Sequence, residues 1–311
     1  MSATALPEID RTKTIGGSDV AAILGISPFR TRLDVWREKL LGQRDAIDTP
    51  GTRAGTRFEP HVLAAYAAQL PAGSVVEKPE PTIRGHLRAS PDGIATVGGW
   101  RRLVEVKTTV FAQDWGAADS DEVPLHYAVQ GMWYMELLEL EEADFPVLLW
   151  PYEMRDLLGL SPAEVVAACE LRTLHLSYSP SMARMLRDRT QEFWERHVLA
   201  EAPPPAVDLE DAKRLVWTVR GKALPADEEL IRLLMQRDEL KAAAKQLEQQ
   251  IEANEFALRQ RVGDAEAVVH PTTRQPLVTL NVTERAAYVA NVKATSFRTI
   301  RTTKHWKEMQ K

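Results

Sequence analysis

The 311-residue chain carries 39 Lys and Arg against 44 Asp and Glu, a formal net charge of −5, and 44% hydrophobic residues. This supports one substantial core and a second, smaller unit, and it excludes a protein that coats nucleic acid through overall basic charge, so any DNA contact must be local. The single cysteine, Cys169, excludes an internal disulfide and a thiolate cluster. The absence of a leader-like start or of a run near the roughly 18 apolar residues of a membrane span predicts a cytoplasmic protein without a membrane partner.

In chain order, Ser18 is placed to cap a short helix over Asp19 to Leu24 stopped by Gly25, and Thr31 to cap another over Arg32 to Leu41 stopped by Gly42. A third helix is predicted over 52–69, bent where Pro60 removes a backbone donor. From Val75 to Thr109, short β-prone runs broken by Pro and Gly predict an antiparallel meander ending in Arg102-Leu-Val-Glu-Val-Lys-Thr-Thr109. Helical spacing returns over 125–139, followed by an apolar strand, Ala143 to Trp150, and an alternating one, Arg172 to Ser177. An amphipathic helix then starts at Ser179 or Ser181, covers Met182 to Leu199, and ends before Pro203-Pro204-Pro205. The order predicts an α/β fold with one domain over 1–205 and a C-terminal helical arm with a basic tail over 206–311.

In the arm, Leu230, Leu233, Arg237, Leu240, Ala244, Leu247, Ile251, Asn254 and Leu258 recur at heptad spacing with two polar interruptions. This reads as a helical hairpin arm or coiled coil, or as one helix packed on its own domain. Ala267 to Lys311 reads as two or three strands and a basic end, where Lys293, Arg298, Arg301, Lys304, Lys307 and Lys311 form either a phosphate contact or a solvated face. A second basic cluster comprises Arg84, Arg88, Arg101, Arg102 and Lys107.

The chemistry concentrates in Leu103-Val-Glu-Val-Lys107. Alternation along a strand puts Glu105 and Lys107 on one side and Val104 and Val106 on the other. Upstream, Ser90-Pro-Asp-Gly93 places Asp92 at a turn from which a hairpin can bring its carboxylate against Glu105. Two carboxylates suit a hard cation such as Mg²⁺ bound partly through substrate phosphate, with the Val106 carbonyl as a third oxygen. Phosphodiester hydrolysis needs a positioned water and stabilised charge, which metal ions provide and which Lys107 would assist. His61, His86 and His126 lie near these motifs without metal-ligand spacing and read as structural.

Four blocks resemble the YqaJ-type viral recombinase family, relatives of phage lambda exonuclease within the PD-(D/E)xK nucleases. They are Ile15-Gly-Gly-Ser-Asp-Val-Ala-Ala-Ile-Leu-Gly-Ile-Ser-Pro-Phe29 with Leu33-Asp-Val-Trp36, Gly55-Thr-Arg-Phe-Glu-Pro60, Ala89-Ser-Pro-Asp-Gly93 with Leu103-Val-Glu-Val-Lys107, and His126-Tyr-Ala-Val-Gln130. The resemblance spans about residues 10–200 and implies a restriction-endonuclease-like core, a central mixed sheet flanked by helices. It implies Asp92 and Glu105 as metal ligands, Lys107 as the catalytic lysine, Glu59 as a second acidic contributor and Gln130 as an active-site support.

The resemblance further implies a grip on a 5′ phosphate by Arg11 and Ser18. Gly16-Gly17-Ser18 suits an anion at a helix N-terminus, although Ser18 could equally serve only as the cap, and Asp19 would repel phosphate if aimed inward. Arg88, where relatives often carry a small residue, either touches DNA or pairs with Glu59. The implied activity is Mg²⁺- or Mn²⁺-dependent 5′-to-3′ digestion of double-stranded DNA ends in a bacterial host. It leaves 3′ tails for a single-strand annealing recombinase in phage or prophage recombination, with a homo-oligomer, a ring-shaped trimer, threaded by DNA. The rivals are an endonuclease using the same carboxylates and a non-catalytic module that binds DNA ends or a recombinase.

Overall fold

The computed structural model describes residues 10–43, 49–150, 161–215 and 223–279. The chain divides into two units, residues 1–215 and 216–311.

In the first unit, α1 (Gly17–Ile23) and α2 (Arg32–Leu41) form a charge-locked pair. Gly16, not Ser18, caps α1, because Asp19 one turn in turns its carboxylate back to the Gly16 amide at 3.0 Å. Thr31 caps α2 by accepting from the Asp34 amide, and Gly42 closes it. Asp19 is buried and meets Arg30 Nη1 at 2.7 Å and Lys39 Nζ at 2.8 Å. Although burial opposes its charge, Lys39 and then Arg30 hold its pKa at about 2. Lys39 Nζ also donates to the Arg11 carbonyl at 2.9 Å, fixing the short turn Arg11–Lys13 before α1.

α3 (Pro50–Gln69), capped by Thr49, runs on through Pro60. The stretch expected as one meander is instead divided among β1 (Val75–Glu77), β2 (Thr82–Arg84), β3 (Leu87–Ala89), β4 (Gly93–Val97), β5 (Trp100–Val104) and β6 (Lys107–Thr109). β2 and β3 form a separate hairpin. β4 and β5 form the hairpin that matters for the site, and β1 pairs with β4 rather than with its sequence neighbour. After α4 (Leu125–Leu138), β7 (Glu142–Leu149) runs parallel to both β5 and β6, and β8 (Glu170–Ser177) is antiparallel to β7. The six-stranded sheet is therefore mixed, ordered β1-β4-β5-β7-β6 with β8 also on β7. β7, paired in parallel with β5 and β6 and antiparallel with β8, is buried along almost its whole length, as a strand covered on both faces must be.

α5 (Pro162–Ala168), α6 (Pro180–Phe193) and α7 (Leu209–Leu215) complete the unit. α6 is capped by Ser179 and continues through a wider π-type turn, Trp194–Leu199. The Trp36 indole donates to the His197 carbonyl at 3.0 Å, anchoring α2 against that turn. Val20, Met132, Trp133, Phe145 and Leu186 share one core cluster, whereas Phe58, Val106, Leu148 and Val165 share another. The sheet is thus covered by α1, α4 and α6 on one face and by α3 and α5 on the other. Each fully buried Phe or Leu contributes about 1.5–3 kcal/mol. Residues 206–215, assigned by sequence to the arm, hydrogen-bond into this unit, with Thr31 Oγ1 donating to Asp211 at 2.9 Å and Arg214 reaching Asp34 at 2.7 Å.

The second unit contains α8 (Glu228–Val262), one continuous helix of 35 residues, and a hairpin of β9 (Ala267–Val269) and β10 (Pro276–Thr279). The basic cluster from Lys293 to Lys311 lies outside the described residues. Among the described residues no helix is long and apolar enough to cross a membrane.

Replacing Asp19 with Asn removes one of the two carboxylates, with Glu38, that pair the buried Lys39 and the partly buried Arg30. It is expected to cost about 3 kcal/mol, the lower end of the usual penalty for breaking a buried pair. Because the Asp19 pKa is lowered from 3.8 to about 2, its contribution is present above pH 3.8 and is lost as pH falls through 2. Urea unfolding at pH 7 and pH 2 should show Asp19→Asn costing much less at the lower pH.

Candidate active site

The β4–β5 register places Gly93 opposite Val104, so the next pair along the hairpin is Asp92 and Glu105. There the ladder stops, since β4 begins at Gly93 and β5 ends at Val104. The Asp92 carboxylate fills the gap, with Oδ2 accepting from the Val106 amide at 2.8 Å. The strand expected to run unbroken from Leu103 to Lys107 is accordingly interrupted at Glu105 and Val106. The register is kept by β7, where Leu103 pairs Ala143 and Lys107 pairs Val147. The Glu105 amide donates to the Asp144 carbonyl at 3.0 Å.

The Glu105 side chain projects to the α4 face and is 3% exposed. Its Oε1 accepts from Lys107 Nζ at 2.7 Å and from Gln130 Nε2 at 2.5 Å. Its Oε2 is buried and has no hydrogen-bond partner. Burial drives the Glu105 pKa up to about 7, against the attraction of Lys107 and with the help of Asp92. Asp92 is also raised, first by burial and only partly offset by Lys107. Lys107 resists its own desolvation because Glu105 and Asp92 favour its charged form, and its pKa is raised. Its ammonium lies 4.9 Å from the centre of the Tyr127 ring.

Gln130 comes from α4, and α1 packs closely over it. A Cβ on Gly17 would meet Gln130 Cγ at 2.9 Å and Tyr134 Cε1 at 2.7 Å, and one on Gly16 would meet the Arg88 guanidinium at 2.4 Å. The two glycines therefore let the α1 N-terminus approach both the site helix and Arg88. Arg88 is buried, and it donates to Thr14 Oγ1 at 3.2 Å and Ser90 Oγ at 3.1 Å rather than pairing with Glu59. Glu59 pairs instead with Lys78 Nζ at 2.9 Å, while its charge helps raise both Asp92 and Glu105.

Asp92, Glu105, Lys107 and Gln130 are thus brought together, with Glu59 at their electrostatic border. Ser18 is exposed on the first turn of α1, and Arg11 is exposed in the turn before it. Asp19 points into the Arg30–Lys39 pair and not toward an anion at the helix start. His86 stacks on Trp194 and His126 packs on Phe29 and Tyr127. Two partners escaped the sequence reading. Tyr127 stands three residues before Gln130 on one helical face, a legible spacing, whereas Lys78 has no signal beyond being basic.

Among the described residues no group of three or more His, Cys, Asp or Glu side chains converges on a metal position. The donor set that fits a hard cation is smaller: Asp92, the unpartnered Glu105 Oε2 and the Val106 carbonyl, an all-oxygen set of the kind that leaves room for water and phosphate.

Because the Glu105 pKa is raised from 4.5 to about 7, the folded chain holds an extra proton between those values, and this stabilisation is lost as pH rises through 7. In EDTA, the denaturant midpoint should fall between pH 5 and pH 8, and Glu105→Gln should flatten that fall. An unaltered slope would assign the effect elsewhere.

Residues 8–140 match the family model described as the YqaJ-like viral recombinase domain. The uncharacterized protein YqaJ of Bacillus subtilis strain 168 is 26% identical over 266 residues, covering 78% of this chain and 75% of that protein. Among solved structures, an alkaline exonuclease from Laribacter hongkongensis aligns over 62% of this chain and 91% of its own, with 19% identity and a TM-score of 0.45. A phage-related exonuclease from Haemophilus somnus 129PT aligns over 61% and 95%, with 14% identity and a TM-score of 0.45. Asp92, Glu105, Lys107 and Gln130 all lie within the residues that match the YqaJ-like viral recombinase domain.

Proposed function

We propose that this chain is a metal-dependent deoxyribonuclease that digests double-stranded DNA ends from 5′ to 3′. The reading rests on one observation. A buried carboxylate, Glu105, has one oxygen fixed by Lys107 and Gln130 and the other left without a partner beside Asp92. An unpaired buried carboxylate oxygen is costly in a purely structural role, and it suits one that receives a cation.

Asp92, Glu105 Oε2 and the Val106 carbonyl would hold the ion, Mg²⁺ or Mn²⁺. When bound, it would supply Lewis-acid stabilisation of the phosphoryl charge and a more acidic water. Gln130 keeps Glu105 Oε1 turned away, so that Oε2 is the oxygen presented. Lys107 is held by Glu105 and lies over Tyr127, so its ammonium stays beside the carboxylates, where it would orient a water against the scissile phosphate. Its charge would stabilise the pentavalent arrangement. Glu59 adds negative charge at the border and is screened by Lys78.

The family match and the exonuclease names of the neighbouring structures support extending the reading to recombination of phage or prophage DNA in a bacterial cytoplasm. There the 3′ tails would pass to a single-strand annealing protein. Arg11 and Ser18, exposed at the α1 start, would grip the end phosphate, whereas Arg88 is buried and would brace the loop beneath them. A ring-shaped homo-oligomer would account for processive digestion.

Linear 5′-phosphorylated duplex and closed circular duplex, each with Mg²⁺ or EDTA, provide the test. The linear DNA should shorten from its 5′ ends only with Mg²⁺, and Lys107→Ala should slow this by about 10²–10³-fold or more. Cutting of the circle would replace the exonuclease by an endonuclease, and binding to ends without loss of nucleotides would replace it by a non-catalytic module.

A further inference from the structure

α8 shows a mismatch between its sequence and its surroundings. It runs 35 residues from the Asp227 cap to Gly263, and none of its residues is buried. Every residue from 239 to 261 is exposed, yet Leu240 at 63%, Leu247 at 58% and Ile251 at 60% exposure belong to one apolar seam at three-and-four spacing. An apolar seam that stays exposed over 239–261 calls for a cover.

We infer that the cover is a second copy of the same helix, running antiparallel. Two-fold pairing is isologous, so if one residue meets another, the reverse contact recurs. In one antiparallel register the seam from Leu233 to Leu258 is self-complementary, and only Leu230, at its end, comes opposite a charged residue, the partner's Arg261. Leu233 meets the partner's Leu258, Leu240 meets the partner's Ile251, and the small Ala244 meets the partner's Leu247. The two polar interruptions then fall in a single layer, Arg237 against the partner's Asn254, so neither is set against an apolar side chain. Arg237 also keeps Asp238 beside it at 3.1 Å. Flanking the seam, Lys241 comes opposite the partner's Glu248, and Glu248 opposite the partner's Lys241.

A parallel pair also matches the apolar seam residue for residue, but it loses the charge pairing. It stacks Arg237 on the partner's Arg237, two like charges in one layer, and sets Lys241 away from Glu248. Flanking charges and single polar seam residues are the devices that fix orientation and register in coiled coils. The antiparallel register uses both. The inference stands apart from the nuclease reading, since it concerns only α8.

The test uses the full chain with Cys169→Ser. Leu233→Cys and Leu258→Cys, both at exposed or partly exposed positions, are prepared separately and oxidised alone and mixed. The antiparallel pair predicts a covalent dimer only in the mixture. Crosslinking of each variant alone would establish a parallel pair and overturn the inference. No crosslink in any sample, with a sedimentation mass unaffected by Leu240→Asp, would overturn it in favour of another occupant on α8. Lys241→Glu should raise the dimer dissociation constant several-fold, and adding Glu248→Lys should restore it.

Discussion

The hydrogen bond from the Val106 amide to the Asp92 carboxylate is the contact on which the site depends. The β4–β5 ladder runs out at the pair Gly93 and Val104, and the Val106 amide beyond it is satisfied by the Asp92 side chain. That hydrogen bond draws Asp92 beside Glu105 and holds two acidic groups together despite their repulsion. The pairing of β7 with both β5 and β6 keeps the flanking residues in register through the break, so Glu105 and Lys107 still share a face.

Burial then sets the electrostatics. Glu105 lies where a charge is expensive, and Lys107 and Gln130 satisfy only one of its oxygens. The neighbouring Asp144 shows the contrasting solution on the other face of the sheet. Its buried carboxylate accepts from Tyr66, from His175 Nδ1 at 2.7 Å and from Arg102 at 3.3 Å, while its carbonyl accepts the Glu105 amide. Asp144 is a closed structural network that braces the strand, and Glu105 is an open one. The difference between two adjacent buried acids is what separates scaffold from candidate site.

The pairing of Asp92 with Glu105 and the shared side of Glu105 and Lys107 were legible in the sequence, because strand alternation and a short hairpin are local rules. The Thr31 cap and the Gly42 stop of α2 were legible for the same reason. The true cap of α1 was not. Ser18 has the right chemistry, but Asp19 is recruited by Arg30 and Lys39, and its carboxylate can then serve the Gly16 amide. The extent of the meander was misjudged because β1 skips to β4 and β5 turns to β7, choices made by tertiary burial rather than by neighbouring residues. Lys78 beside Glu59 and Arg88 between Thr14 and Ser90 likewise depend on contacts between segments distant in the chain.

The central claim is that the open oxygen of Glu105 and the Asp92 carboxylate form a cation site. Calorimetric titration of the metal-free protein with Mn²⁺, compared with Asp92→Asn and Glu105→Gln, tests it without reference to catalysis. Saturable binding to the wild type that weakens by at least an order of magnitude in both variants is the predicted result. Equal binding by all three proteins, or none by the wild type, would contradict the account.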